Sequence, residues 1–301
     1  MKYRYKQFFQ KSNCLLPVAY CQLLIACCLL LIASCSVNKA NNDESLKKYF
    51  DENKVEGCFT MLNNADGRVT VYNMKFDTMR FSPASTFKIF NSLVGLQTGI
   101  ITDERMIIKW DGKMRLFPNG DTAKSWNKDM DMIEAFKVSS VPFYQEVARR
   151  IGKDTMQQWI DSVGYGNKNI SGPVDSFWLN NTLKISPDEQ LGLVKKLYFD
   201  QLPFRKSVQQ MVRDVMLQEN NTAYQLSYKT GWGFEEDARP DGSAGRGKAI
   251  GWLVGWIEEN KHVYFFVTFV KAPSADTDLS TVRLNITKAI LKQYGFFEGK
   301  K

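Results

Sequence analysis

Ser85 and Lys88 stand three residues apart in the stretch FSPASTFKIF, Phe81 to Phe90. On a helix that spacing puts two side chains on one face, a turn apart. A serine hydroxyl beside an amine can serve as a nucleophile with its base, because a lysine removed from water loses its proton at accessible pH. Ser82 and Pro83 read as the helix start: a capping hydroxyl, then a residue lacking the N–H that a first turn leaves unpaired. The helix should run from Ala84 to Gly99, with both groups near the positive end of its dipole. Two polar side chains facing solvent would show the same spacing. S-x-x-K also occurs at Ser36, Ser45 and Ser125, but only Ser85 has Phe81, Phe87, Ile89 and Phe90 around it to strip water from the lysine.

A second candidate is Lys229-Thr230-Gly231, which occurs once, inside a late β-rich run. Lys and Thr side chains on a strand can bind a carboxylate, and the glycine lets another backbone approach closely. The plainer alternative is a surface lysine at a strand turn. Histidine chemistry has little to work with: His262 is the single histidine, just before the most hydrophobic run, and it reads as a strand-end residue. Cysteine pairs are also missing. Five of the six cysteines fall at or before Cys35, which leaves Cys58 alone, so no disulfide and no metal-binding pair is expected in the mature chain. Any acid–base work would therefore fall to a lysine or a carboxylate.

The elements that must position these groups alternate in type along the chain. GCFTMLN (57–63) and RVTVYN (68–73) read as an antiparallel hairpin across NADG. From Ser85 to Glu219 the pattern is mostly helical, with segments at 144–151, 155–163 and 188–199, the last preceded by a first-turn Pro187. Strands return in YQLSYKTGWG, KAIGWLVGWIEE and HVYFFVTFVKA, the last two joined at Asn260–Lys261, and Ser280–Tyr294 reads as a final helix. Strands at both ends with helices between them imply an α+β fold. An antiparallel sheet built from both termini would be flanked by helices and carry an inserted, mostly helical subdomain. A cleft between the two parts is the natural place for chemistry.

The first 35 residues stand apart. Lys2, Arg4, Lys6 and Lys11 precede an apolar run from Leu23 to Ala33, with no acid before Asp43, which is the layout of a secretory signal. The run ends in LIASCS, which resembles a bacterial lipobox and implies cleavage before Cys35 and lipidation of that cysteine. An ordinary signal or an uncleaved anchor is the alternative. Residues 36–44 read as a polar tether and 45–301 as one catalytic domain. The leader's four basic residues and no acid take the net charge from +8 to +4 on its removal. With those charges dispersed, nucleic-acid binding has little support.

S-x-x-K opening a helix, with K-T-G about 140 residues later, is the joint pattern of serine β-lactamases and penicillin-binding proteins. Over essentially all of the mature sequence the chain resembles the class D, oxacillinase-type β-lactamases. The resemblance rests on PASTFK (83–88), SSV (139–141), YGN (165–167), FWL (177–179), KTGWG (229–233) and Arg283, in family order. It implies a serine β-lactamase/transpeptidase-like fold and hydrolysis of β-lactam antibiotics through an acyl-enzyme on Ser85. Lys88 would react with CO2 to form a carbamate, the general base, held by the Trp178 indole; no other cofactor is implied. Ser139 would relay a proton to the leaving nitrogen. Lys229, Thr230, Gly231, Trp232 and Arg283 would bind substrate, with the Ser85 and Trp232 N–H groups forming an oxyanion hole. Val141, Leu179, Tyr165 and Asn167 would line the cleft and its water gate, Asn167 supporting the wall.

The implied partners are penicillins, with cephalosporins and carbapenems open, and the implied location is the periplasm, on a bacterial membrane through the Cys35 lipid. Three alternatives share these motifs in whole or part. A β-lactam receptor's sensor domain acylates without fast turnover, but such receptors carry membrane spans and a signalling domain not evident here. A cell-wall transpeptidase is disfavoured by YGN and Trp178. A non-catalytic binding protein is disfavoured by the intact Ser85, Lys88 and Lys229. One departure from the family is the polar, glycine-rich segment at 234–249, longer than the resemblance leads one to expect and read as a surface hairpin beside the K-T-G strand.

Overall fold

The computed structural model describes residues 40–117, 121–238 and 244–301. The leader with Cys35, and the tip of the polar segment at 239–243, lie outside the described residues. The elements in chain order are β1 (Ala40–Asn42), α1 (Lys47–Glu52), β2 (Glu56–Asn63), β3 (Val69–Tyr72), α2 (Met74–Thr78), α3 (Phe87–Gln97), α4 (Met132–Lys137) and α5 (Val141–Ile151). There follow α6 (Lys153–Val163), α7 (Pro187–Tyr198), α8 (Lys206–Met216), β4 (Leu217–Asn220), β5 (Tyr224–Ala238), β6 (Ala244–Glu259), β7 (His262–Lys271) and α9 (Val282–Gln293).

Seven strands form one sheet in the order β1-β3-β2-β7-β6-β5-β4. The early and late parts of the chain meet where β2 pairs antiparallel with β7, so the sheet is indeed assembled from both ends. Helices α2 to α8 are inserted between β3 and β4. The β6–β7 turn is built by Asn260 and Lys261, both at positive φ (47° and 64°), the mirror-image turn that matches strand twist. Strand β7 alternates between two cores: Phe265, Val267 and Phe269 face one, Phe266 and Val270 the other. Burial on both faces is why VYFFVTFV lacks polar alternation. Each fully buried phenylalanine contributes about 2–3 kcal/mol of transfer free energy.

Two expectations need correcting. The segment read as a tether to residue 44 contains β1, which pairs parallel with β3, and Asp43 accepts from Tyr294 Oη at 2.7 Å, so the folded unit starts before residue 45. Among the described residues between Gln97 and Met132 there is no helix. Its Asp side chains bind backbone N–H groups instead, Asp103 that of Arg105 at 2.8 Å and Asp129 that of Trp110 at 2.8 Å, which competes with helix formation. The polar segment after residue 233 forms a hairpin, as read, continuous with the sheet. Its described parts prolong β5 and β6, paired out to Ala238 and Ala244 across a register shift between Phe234 and Glu236. Likewise α7 starts as its sequence requires: Pro187 opens it, Ser186 Oγ accepts from Glu189 N at 3.2 Å, and Glu189 Oε2 accepts from Ser186 N at 2.9 Å.

Candidate active site

The nucleophile turn is tighter than the sequence suggests. Ser82 does not cap the helix; its hydroxyl donates to Trp178 O at 2.8 Å. Pro83 precedes a 3-10 turn over Ala84–Thr86, and α3 starts only at Phe87. Ala84 has φ +47°, a left-handed conformation that a non-glycine residue holds only when its surroundings impose it, at a cost of about 1–3 kcal/mol. Those surroundings are visible: Ala84 N donates to Trp178 O at 3.1 Å and Thr86 Oγ1 to Pro83 O at 2.7 Å. From α7, the buried Gln190 donates to Thr86 Oγ1 at 2.6 Å.

In this turn Ser85 and Lys88 meet as predicted. Lys88 Nζ lies 2.6 Å from Ser85 Oγ, and the lysine is fully buried. Burial first, and the nearby Lys229 charge second, hold its amine well below the ordinary lysine range. The Tyr144 ring centroid is 5.6 Å from Nζ, with the Tyr144 hydroxyl 2.8 Å from Ser92 Oγ. Trp178 is also fully buried, stacked on Phe87 at 5.3 Å, and its indole Nε1 has no hydrogen-bond partner. A buried donor without an acceptor is costly, so this N–H fits an anionic group carried by Lys88.

Ser139 ends the turn after α4 at φ +55°, and its hydroxyl accepts from Lys229 Nζ at 3.0 Å. Lys229 also donates to Thr230 O at 3.1 Å and lies 5.3 Å from the Phe136 ring. Burial, then Arg283, push its amine down to about 7. Arg283, in the first turn of α9, donates to Leu279 O at 2.9 Å, while burial brings it to about 10. Lys88, Lys229 and Arg283 are each at most 8% exposed, and none is ion-paired to a carboxylate among the described residues. Lys229 and Arg283 together present positive charge to an anion.

Gly231 and Gly233 explain how β5 approaches the serine. A Cβ on Gly231 would sit 3.1 Å from Pro83 O, and one on Gly233 3.1 Å from the Ala84 methyl, so the Trp232 backbone passes directly against the nucleophile turn. Val141, the first residue of α5, and Leu179 are half-buried beside this region. Tyr165 is not at a gate. It is 1% exposed, edge-on to Phe87 at 5.5 Å and tilted against Phe90 at 5.1 Å, behind α3, because an aromatic ring facing an apolar helix buries itself. Asn167 donates to Thr182 O at 2.9 Å and accepts from Lys184 N at 3.0 Å, which ties two turns together. His262 is exposed at the start of β7. Tyr144, Phe136 and Gln190 carry no signal of a site role in the sequence, since each reads as ordinary core.

The chain matches the family model of the penicillin binding protein transpeptidase domain over residues 44–292. It is 38% identical over 251 residues to β-lactamase OXA-48 of Klebsiella pneumoniae, covering 83% of this chain and 88% of that one. The class D β-lactamase of Sebaldella termitidis is similar in structure, with a TM-score of 0.76 and 32% identity, over 86% of this chain and 99% of that one. The C-terminal domain of the Bacillus licheniformis BlaR penicillin receptor also matches, with a TM-score of 0.75 and 30% identity, over 85% and 96%.

Proposed function

Because the chain belongs to the class D serine β-lactamases, we propose that its cleft hydrolyses β-lactam antibiotics through an acyl-enzyme on Ser85. The observation that carries this reading is a Ser85 hydroxyl 2.6 Å from a fully buried Lys88 whose amine burial holds well below the ordinary lysine range, with the unpartnered indole N–H of Trp178 in the same core, stacked on Phe87. Ser85 Oγ attacks the lactam carbonyl, and the oxygen that becomes negative is held by N–H groups of the Ser85 turn and of Trp232. Losing one such donor costs about 3 kcal/mol. Ser139, in contact with Lys229, passes the proton to the departing nitrogen, and Lys229, Thr230 and Arg283 bind the substrate carboxylate. Val141 and Leu179 cover the Lys88 pocket.

The chemistry of these residues suits carbon dioxide. Addition to the neutral Lys88 amine releases a proton and leaves a carbamate that supplies the general base, for which Trp178 Nε1 offers the donor. Export and anchoring follow from the leader: Cys35, at the end of LIASCS, is the lipid attachment point. The readout there is fractionation, with Cys35→Ala expected to release the protein from membranes and unchanged retention pointing to an uncleaved anchor. Among the described residues no helix is long and apolar enough to cross a membrane.

The deciding experiment mixes the purified protein with a chromogenic cephalosporin, with and without bicarbonate. Repeated turnover that rises with bicarbonate is expected. A single stoichiometric burst would instead assign the site to a receptor or transpeptidase that acylates and stops, the reading that the BlaR likeness favours.

A further inference from the structure

The Ser85 turn and the Trp232 strand both rest on one fully buried side chain, Thr86. Its Oγ1 donates to Pro83 O at 2.7 Å, alongside the 3.1 Å bond from Thr86 N to the same carbonyl. These two bonds close the turn that carries Ala84 and the Ser85 N–H. The Thr86 methyl meets the strand: a Cβ on Gly231 would sit 3.2 Å from Thr86 Cγ2, so β5 passes Thr86 just before the Trp232 N–H. Hydroxyl and methyl share one carbon. The single χ1 that aims the hydroxyl at Pro83 therefore also sets where the methyl meets β5.

Gln190 fixes that χ1. A carbonyl only accepts, so the one hydroxyl proton of Thr86 is committed to Pro83 O, and the 2.6 Å contact from Gln190 is filled by an amide N–H. The glutamine is fully buried and its Oε1 has no partner. An amide held in this way adds little net stability, because its carbonyl gives up water without replacement. What it supplies, and an apolar side chain lacks, is direction. Gln190 is also kept in place relative to the serine turn. Its neighbour Glu189 accepts from Arg80 Nε at 2.9 Å, and Phe81 pairs with Ile185 through backbone bonds of 3.0 and 2.9 Å. From the sheet side Trp252, opposite Gly231 in β6, donates Nε1–H to Ser82 O at 2.9 Å.

We propose that Gln190 is a positioning residue of the oxyanion hole: its N–H locks Thr86 in the rotamer that sets the distance between the Ser85 turn and the Trp232 strand. The assignment rests on the acyl-enzyme reading above. Without the donor Thr86 is free to turn, which opens its second bond to Pro83 O and takes its methyl away from β5. The two N–H groups then lose their common setting. The cost falls on the step in which the lactam oxygen becomes negative, and not on the binding that precedes it, because the hole is filled only as that charge develops.

The test follows acylation by benzylpenicillin over a range of drug concentrations, by rapid quench and mass of the protein adduct. It yields the burst amplitude, which counts folded sites, the dissociation constant before acylation and the saturating rate constant. Gln190→Met keeps the length of the side chain and lacks the donor; Thr86→Val keeps the branched shape and lacks the hydroxyl. Each is expected to lower the saturating rate constant about tenfold, short of the ~100-fold or more that follows outright loss of an oxyanion donor. The dissociation constant should stay within about twofold of the parent. Because the two residues act through one bond, the double variant should be no more than about threefold slower than the slower single variant. A double variant about 100-fold slower than the parent, as independent sites would give, overturns the assignment. So does a rate constant within about twofold of the parent in either single variant, or a loss confined to the amplitude or to the dissociation constant. Should Gln190→Met not fold, Gln190→Leu and the single Thr86→Val are read by the same criteria. If the parent forms no adduct with benzylpenicillin, the acyl-enzyme reading is refuted and this assignment falls with it.

Discussion

Replacing Trp178 by phenylalanine isolates the group on which the lysine chemistry depends. The Trp178 ring packs at 5.3 Å on Phe87 and 5.0 Å from Phe177, and a phenyl ring retains most of that contact. Its backbone carbonyl, which accepts from Ser82 Oγ at 2.8 Å and Ala84 N at 3.1 Å, is untouched, so the nucleophile turn keeps its shape. What disappears is the indole N–H, which has no partner in the unmodified site. A hydrogen bond to a charged group contributes about 1.5–3 kcal/mol. At 1.4 kcal/mol per tenfold, losing it should raise the bicarbonate concentration for half-maximal activity about 10- to 150-fold. Truncation to alanine would confuse the result, since emptying a buried indole site costs about 3–5 kcal/mol of stability. The assay is the initial rate of a chromogenic cephalosporin in degassed buffer titrated with bicarbonate. Trp178→Phe should reach near-parent rates at high bicarbonate and fall away at low. Unchanged bicarbonate dependence, or a loss that no bicarbonate restores, would refute the assigned role of this donor.

Lys229, held down to about 7 by burial and then by Arg283, should give kcat/KM for carboxylate-bearing β-lactams an alkaline limb, because the cation that binds the carboxylate is lost as pH rises through 7; Lys229→Arg should move that limb upward in a pH–rate series. The same depressed value means the unfolded chain binds more protons between about pH 7 and 10.5, so stability should rise with pH over that window, and Lys229→Met should flatten the rise in urea melts. Gly231→Ala should cut acylation about 10- to 100-fold with little change in melting temperature, since its Cβ would press within 3.1 Å of Pro83 O and displace the β5 backbone from the serine turn; unaltered acylation would show the approach to be looser than it looks. Asp77, buried at 3% exposure and accepting from Thr60 Oγ1 at 2.5 Å, is pushed up by burial to about 6 from 3.8. The native state then holds the extra proton between those values, so stability falls as pH rises through the window. Asp77→Asn should gain up to about 3 kcal/mol above pH 6 and nothing below pH 4, read from urea midpoints at both ends.

The buried cations explain why the site needs an anionic ligand. Lys229 and Arg283 are both shifted downward by burial, and each shift records a charge kept in the cleft at a cost. A substrate carboxylate relieves that cost, and carbamylation of the Lys88 amine would add a negative charge near Lys229. Binding and chemistry thus draw on the same imbalance of charge.

Local patterns carried much of this protein in plain view. The three-residue spacing of Ser85 and Lys88, the turn at Asn260–Lys261, the capping box at Ser186 and the unbroken apolar run of β7 are readable because each depends on neighbours in the chain. Motif order, from PASTFK to Arg283, fixed the reaction class for the same reason. The remainder depends on residues far apart in sequence. That Ser82 holds Trp178 O instead of capping a helix, that Ala84 is forced to positive φ, and that Lys229 meets Ser139 90 positions away follow only when β5 is laid against the α3 turn. Tyr165 leaves the cleft for the core because Phe87 and Phe90 offer it apolar surface, a fact of packing that YGN as a motif does not contain. A lysine's proton affinity and the reach of a strand edge are set by everything that surrounds them.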